Sequence, residues 1–245
     1  MTIPRLRIKC YFLCGVVENL RSRRCTVVCN ALISAKPVVV CLQESKLYDL
    51  HKLKARSFLP SNLSEIACLN TRSTRGGIVT AWDTSLFSLV STIVRQYSLT
   101  TTLSTPTPSK NITITNTYAP TDHRDSMAFH AELLEILSLI SGPWLLLGDF
   151  SLTAVPVKRT QTPATPVSAL PLTTPSISSP WSRSLSSDAS IYTWSSKQAS
   201  TILARLDRAF INLELLSTYP TTSLSPLVRQ NARPLLLGGQ DQTAS

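Results

Sequence analysis

Three acidic residues lie in or at the ends of apolar segments, where a folded chain commonly presents charged groups. Glu44 closes the run "PVVVCLQE", Asp149 closes "WLLLGD", and Asp207 lies within "RLDR". Carboxylates brought together from separate strands form an oxygen-rich site that suits Mg²⁺. Such a site can stabilise charge on a phosphoryl group while a carboxylate orients a water molecule for phosphodiester hydrolysis. The alternative is that each acid is a solvated strand end or part of a structural ion pair.

The charge of the chain favours a polyanionic partner. Its 245 residues carry a formal net charge of +10, and the isoelectric point is about 9.6. Nucleic acid is the first partner that such a balance indicates, although a basic surface can also serve solubility alone. Every apolar run falls short of the roughly 20 residues that a membrane-spanning helix needs, so we expect no membrane partner.

The cysteines favour a reducing compartment. They all lie in the first third of the chain: Cys10, Cys14, Cys25, Cys29, Cys41 and Cys68. No second Cys/His pair completes a zinc-binding pattern with Cys25 and Cys29. Cys41 lies within an apolar run, where a thiol is usually a small core residue. We therefore expect reduced cysteines and an intracellular, nuclear or cytoplasmic, location.

Several segments can form the strands that the acids require. Continuous apolar or alternating patterns predict strands in "KPVVVCLQE", "GGIVTAW", "NITITNTYAP" and "GPWLLLGDF". The periodicity of "RLDRAFIN" fits a strand or a helix equally well.

One helix is predicted between two of these strands, in "TDHRDSMAFHAELLEILSLISG". Either Asp122 or Asp125 can cap its start, and Gly142 is expected to end it. Its apolar face consists of Phe129, Leu133, Ile136, Leu137 and Ile140. The order strand, helix, strand is typical of an α/β fold.

Residues 160 to 190 differ in composition from the rest of the chain. They are rich in Ser, Thr and Pro, and Asp188 is their only acid. Such a segment buries little apolar surface, and each proline lacks a backbone donor. Taken alone, it is predicted to be a linker or a disordered insert.

Five short motifs share their order with a known family. They are "LQESK" (42–46), "RGGIVTAW" (75–82), "NTYAP" (116–120), "LLLGDF" (145–150) and "YTWSSKQASTILARLDRAFIN" (192–212). In this order they resemble endonuclease/exonuclease/phosphatase domains, in particular the endonuclease domain of LINE-type non-LTR retrotransposons. The resemblance implies one domain over residues 1–245, folded as a four-layered α/β sandwich. In that fold two mixed β-sheets lie face to face, helices lie outside, and the site lies at one end. The unrecognisable segment at about 155–190 implies an incomplete copy.

The resemblance also implies roles for individual residues. Glu44 matches the glutamate that binds the metal ion, and Tyr118 matches the tyrosine near the scissile phosphate, where a phenol can donate a hydrogen bond. Asp149 matches the aspartate that orients or deprotonates the attacking water. Asp207 resembles the acid that hydrogen-bonds the catalytic histidine, although Arg205 and Arg208 offer it a plain ion pair.

A cofactor, a substrate and an assembly state follow from the same resemblance. The implied cofactor is Mg²⁺, with Mn²⁺ as the alternative, and no small-molecule cofactor is implied. The implied partner is DNA, and the implied assembly is a monomer.

Four positions depart from the family pattern. Ser151 replaces the asparagine of Gly-Asp-Phe-Asn and offers one rotatable donor instead of an amide. Asn231 and Ala232 replace the aspartate and histidine that precede an apolar "PLLL". Val16 falls where the family has an asparagine that helps to seat the metal ion, with Asn19 nearby.

Three interpretations remain open at this point. The first is a degenerate Mg²⁺-dependent endonuclease of impaired or no activity, because alanine cannot act as a base or donor. The second is a non-catalytic, basic nucleic-acid-binding remnant, and the third is a poorly folded pseudogene product. If two compensating frameshifts produced the Ser/Thr/Pro-rich segment, the other frames of the coding DNA across residues 155–191 should restore an apolar, acidic pattern.

Overall fold

Helices and strands follow one another along much of the chain. The computed structural model describes residues 22–43, 45, 52–70, 77–106, 109–150, 181–184, 194–195, 203–204 and 207–219. Within these residues the helices are α1 (Ser22–Ala35), α2 (Lys52–Ala55), α3 (Ser126–Leu139) and α4 (Leu213–Thr218). The strands are β1 (Val39–Leu42), β2 (Glu65–Leu69), β3 (Ile78–Trp82), β4 (Ser88–Val94), β5 (Ser98–Pro106), β6 (Ser109–Tyr118), β7 (Trp144–Asp149), β8 (Trp181–Ser184), β9 (Trp194–Ser195), β10 (Leu203–Ala204) and β11 (Asp207–Asn212). A 3₁₀ turn (His123–Asp125) precedes α3.

The apolar runs predicted to be strands all form strands, namely β1, β3, β6 and β7. The ambiguous segment "RLDRAFIN" contributes the strand β11. The strands β2, β4 and β5 lie outside the segments predicted to be strands. In β5 the apolar pattern fails as a predictor because Thr100 and Thr101 are buried although they are polar. The Thr100 hydroxyl is paired with that of Thr115 on β6 at 2.9 Å, a contact that no local pattern reveals.

The described strands form two larger sheets and one short pair. The smaller sheet has the order β1-β3-β2 and is antiparallel. The six-stranded sheet has the order β4-β5-β6-β7-β11-β8 and is mixed, since β6 and β7 are parallel and the other pairs are antiparallel. A parallel pair needs a crossover connection, and α3 provides it, as the predicted α/β order requires. β9 and β10 form the short pair.

The two larger sheets pack face to face around one core. It contains Val39, Cys41 and Trp82 from the smaller sheet, with Leu103, Ile112, Ile114, Leu145, Leu147, Ala209 and Ile211 from the larger one. Burial raises the pKa of the Cys41 thiol to about 12, so this group is a neutral core residue, as the sequence predicts. Among the described residues, no disulfide bond is formed by Cys25, Cys29, Cys41 or Cys68.

Helices cover the outer faces of both sheets. Leu32 of α1 and Phe58, which follows α2, pack with Val40 and Leu42 of β1. On the opposite side, Phe129 of α3 packs against the six-stranded sheet. The order helix, sheet, sheet, helix confirms the predicted four-layered α/β sandwich. Among the described residues, no helix is long and apolar enough to span a membrane.

Helix α3 lies close to its predicted position. The Asp122 carboxylate caps the preceding 3₁₀ turn by accepting a hydrogen bond from the backbone N–H of Arg124 at 2.9 Å. Asp125, at the N-cap of α3, makes no side-chain capping bond. The helix ends at Leu139, earlier than the predicted Gly142, which lies in the following turn with φ of +88°.

Glu132 interrupts the apolar face of α3 and is buried. Its carboxylate accepts hydrogen bonds from the backbone N–H groups of Gln96 (2.9 Å) and Tyr97 (3.1 Å), and from the Ser98 hydroxyl (2.6 Å). Gln96 and Tyr97 lie in the turn between β4 and β5, and Ser98 is the first residue of β5. The carboxylate therefore attaches the helix to that turn.

Replacing Glu132 with alanine should lower the free energy of unfolding by about 3 kcal/mol, because buried donors that lose their acceptor keep their desolvation penalty. Urea denaturation measures this change. Glu135→Ala is the matched control, since its 2.6 Å ion pair with Arg95 is solvent-exposed and should contribute less than about 1 kcal/mol. Equal losses in the two variants would contradict the role given to Glu132.

Part of the Ser/Thr/Pro-rich segment forms a strand. Residues 181–184 are β8, which pairs with β11 at the edge of the six-stranded sheet, with Ser184 opposite Phe210. The linker interpretation does not apply to these residues. The rest of the segment from 155 to 190 lies outside the described residues.

Candidate active site

Three residues to which the family resemblance assigns roles meet at one edge of the six-stranded sheet. Because β6 and β7 are parallel, both end at this edge, and Tyr118 lies opposite Asp149 in the register. β11 is antiparallel to β7 and begins here, with Asp207 opposite Asp149 on the other side. Asp149 therefore lies between a tyrosine and an acid on neighbouring strands.

The side chains of Tyr118 and Asp149 belong to the face that points toward the smaller sheet. Leu145 and Leu147 of β7 lie in the core between the sheets, and the two-residue periodicity continues to Asp149. Ile114 of β6 lies in the same core, and the same periodicity continues to Tyr118. Asp149 is 4% exposed, whereas Tyr118 is only half-buried. The carboxylate is thus held in the protein, and the phenol lies nearer to solvent.

Gly148 allows the two strand ends to come this close. Its φ is +153°, and a Cβ at this position would lie 1.9 Å from the carbonyl oxygen of Thr117 on β6. Glycine alone fits such a close approach of two backbones. The backbone carbonyl of Asp149 then accepts a hydrogen bond from the N–H of Ala119 at 2.9 Å, which joins the two chains just beyond the strands.

Phe150 anchors the chain immediately after Asp149. It is 1% exposed and packs on the helix side of the sheet. Its ring makes edge contacts with Phe129 of α3 and Phe210 of β11, at centroid distances of 6.2 and 5.5 Å. Aromatic pairs of this geometry stabilise packing beyond their buried area. The "GDF" motif therefore combines a close backbone approach, a buried acid and an aromatic anchor.

A buried amide pair connects the two sheets next to this edge. The Asn116 side chain donates to the carbonyl oxygens of Val79 (3.0 Å) and Leu42 (3.4 Å), and accepts a hydrogen bond from the Gln43 side chain. Gln43 directly precedes Glu44 in the sequence. No local sequence pattern predicts this pair. The sequence does contain one indication of it: Asn116 lies in an alternating strand, at one of the positions, two residues apart, whose side chains point into the core.

A cavity of about 300 Å³ opens beside Tyr118. Its walls come from the ends of β2 and β3, the turn between β4 and β5, and the 3₁₀ turn. Asp122 and Asp125 line it, together with Tyr97. Burial raises the pKa of the Tyr97 phenol, with the charges of Asp125 and Glu132 adding to the effect, so the group stays neutral near pH 7.

The residues at this edge have the donor chemistry of a divalent-metal site. Asp149 contributes a carboxylate, and a second acid, Asp207, lies opposite it in the register. Carboxylate oxygens are hard donors of the kind that Mg²⁺ and Mn²⁺ take. The described residues alone contain no cluster of three or more His, Cys, Asp or Glu side chains.

The remaining residues of the predicted site lie outside the described residues. They are Glu44 and the altered family positions Val16, Ser151, Asn231 and Ala232. The predictions made for them therefore remain predictions.

A sandwich with acids and a tyrosine at one end defines a class of phosphodiesterase-like and nuclease-like domains. The model of the endonuclease/exonuclease/phosphatase family matches residues 19–229. The chain belongs to this family, whose enzymes generally use divalent metal ions.

Solved structures support the same fold. A truncated TDP2 from Caenorhabditis elegans has 12% identity and a TM-score of 0.56, over 84% of this chain and 86% of that chain. A humanized D. rerio TDP2 has 14% identity and a TM-score of 0.56, over 83% and 81%. ANGEL2, a 2',3'-cyclic phosphatase, has 17% identity and a TM-score of 0.52, over 76% and 73%. At such identities these similarities establish the fold. A comparison with curated protein sequences finds no match.

Proposed function

We propose that this chain derives from a divalent-metal-dependent endonuclease that cleaves phosphodiester bonds of DNA, of the kind that LINE-type retrotransposons carry, and that its own activity is severely impaired. The observation that supports this most is the register at the sheet edge, where Tyr118, Asp149 and Asp207 occupy neighbouring positions in a member of the family. The order of the five sequence motifs supports the LINE-type origin.

The residues of the chain have separate tasks in this proposal. Asp149, buried and backed by Phe150, orients the attacking water and accepts its proton. Tyr118, half-buried at the rim, donates to a phosphoryl oxygen. Glu44 would ligate the ion, and Asp207 matches the acid that hydrogen-bonds the catalytic histidine, a residue that this chain replaces with alanine. A bound Mg²⁺ or Mn²⁺ supplies stabilisation of phosphoryl charge.

The impairment follows from the side chains that are missing. Ala232 has neither a lone pair nor a polar hydrogen, so it cannot replace the imidazole of a histidine as base or donor. Asn231 lacks the negative charge of the aspartate, and Ser151 lacks the second donor of the asparagine amide. The loss of one donor to developing charge typically lowers kcat about 10²–10³-fold.

The first test is nicking of supercoiled plasmid by the purified full chain in Mg²⁺, beside Glu44→Ala and Asp149→Asn. We expect the parent to nick no faster than either variant, because the missing imidazole limits all three. Nicking by the parent that disappears in both variants would contradict the impairment and identify a working enzyme. A melting curve recorded on the same samples separates a folded, inactive chain, which melts cooperatively, from a poorly folded product, which does not.

The net charge of +10 favours a second function, the binding of nucleic acid without cleavage. Binding of this kind releases counterions, so the association constant should fall steeply between 50 and 200 mM salt, by about 10³-fold if about six phosphates are contacted. Electrophoretic retardation of a plasmid at several salt concentrations measures the slope. The absence of retardation at low salt would exclude this function.

A further inference from the structure

We propose that Asn116 and Gln43 are a positioning pair that fixes the strand end preceding Glu44 relative to the strand ends carrying Tyr118 and Asp149. This inference rests on the proposed function, because it assigns the pair a role in holding Glu44 where a metal ion is bound.

Asn116 connects β6 with the opposite sheet through each of its amide groups. It is fully buried, and its Nδ2 donates to the carbonyl oxygen of Val79 on β3 at 3.0 Å. The same nitrogen lies 3.4 Å from the carbonyl oxygen of Leu42 at the end of β1. Its Oδ1 accepts the hydrogen bond from Gln43. One side chain of the larger sheet is therefore bonded to two strands of the smaller one.

A polar pair in this position has a directional effect that apolar packing lacks. The surrounding contacts between the sheets are made by apolar side chains such as Val39, Leu103 and Ile112, whose burial is stabilising but not directional. Hydrogen bonds lose strength when their angle or length changes, and a fully satisfied buried network specifies one arrangement. The amides thus set the register between the sheets at the end where the site lies.

The pair acts close to each functional position. Gln43 and Ser45 flank Glu44 in the sequence, and each is 2% exposed. The backbone N–H of Ser45 donates to the carbonyl oxygen of Gly77 at 3.0 Å, so both neighbours of Glu44 have fixed partners. Asn116 lies two residues before Tyr118 in β6, and opposite Leu147 of β7, two residues before Asp149. A shift at the pair therefore moves Gln43, the residue before Glu44, relative to the strand ends that carry Tyr118 and Asp149.

The test measures the affinity of the full-length chain for Mn²⁺ by titration calorimetry. The variants are Gln43→Met, which keeps the length of the side chain, and Asn116→Leu, which keeps its approximate volume. We expect Mn²⁺ affinity to fall at least about tenfold in both variants, as is typical when residues that orient metal ligands are replaced. If Asn116→Leu does not fold, Gln43→Met carries the test by itself.

Thr115→Val is the matched control for a general loss of stability. Thr115 neighbours Asn116 in β6 and is fully buried, and its hydroxyl is bonded to the Thr100 hydroxyl and the Trp144 indole N–H, both at 2.9 Å. Its bonds stay within the six-stranded sheet. We expect this variant to lose stability in urea and to retain the Mn²⁺ affinity of the parent.

Glu44→Ala separates failure of the inference from failure of the proposed function. The inference alone is overturned if the Mn²⁺ affinity falls in Glu44→Ala but is unchanged in folded Gln43→Met and Asn116→Leu. An equal fall in Thr115→Val also overturns it, because the effect then follows stability. If Glu44→Ala leaves the Mn²⁺ affinity unchanged, the proposed function is overturned, and the inference with it.

Discussion

A chain carrying Asn231→Asp and Ala232→His will nick supercoiled plasmid in Mg²⁺ at least about 100-fold faster than the parent, because one positioned acid or base contributes about 10²–10⁴-fold to a rate. The physical reason is that the two substitutions restore an imidazole, which can take the proton of the attacking water or donate a hydrogen bond to a phosphoryl oxygen, and a carboxylate beside it. The strand ends that carry Tyr118 and Asp149 already lie in register with each other. The measurement is the initial rate of conversion of supercoiled to open-circular plasmid.

Two controls give this result its meaning. Asn231→Asp alone should restore little, because it adds the acid without the imidazole. Asp149→Asn in the restored chain should abolish the gain, since residues that act as one unit lose their effect together. Adding Ser151→Asn should raise the rate further. A restored chain that melts cooperatively and binds plasmid but does not nick it would contradict the assignment of the C-terminal motif.

The parts of the fold that could be predicted from the sequence are those with a local signal. The runs "VVVCL" and "WLLLGD" contribute buried strands because continuous apolar residues are stable only when they are removed from water. Of their two terminal acids, Asp149 lies at the edge where three strands meet, and Glu44 lies outside the described residues. The family resemblance supplied the sheets and layers that periodicity alone could not.

The parts that could not be predicted depend on contacts between residues distant in the sequence. Gln43 and Asn116 are 73 positions apart, and neither has a neighbour that indicates its partner. Glu132 lies on the apolar face of α3, and its charge alone would assign it to solvent. Its donors lie 34 to 36 residues earlier, in a turn that only the folded chain brings to the helix. Buried polar groups of this kind are defined by the tertiary structure.

Gly148→Ala should destabilise the chain strongly, because two effects add. A non-glycine residue at a φ of +153° is strained by about 1–3 kcal/mol. In addition, the new Cβ would lie 1.9 Å from the carbonyl oxygen of Thr117, a backbone atom that cannot move without separating β6 from β7. Since domains have only about 5–15 kcal/mol of stability, we expect a large fall in the urea midpoint or a failure to fold.

Gly142→Ala measures the conformational strain without the steric clash. Gly142 also has a positive φ, +88°, but a Cβ there would meet no atom within 4 Å. It should therefore show the conformational strain alone, and Gly148→Ala should lose at least about 2 kcal/mol more, the range typical of overpacking. Equal losses in the two variants would mean that β6 and β7 can separate freely at this point. In that case Gly148 would not be what holds Tyr118 and Asp149 together, and the close register at the site would need another cause.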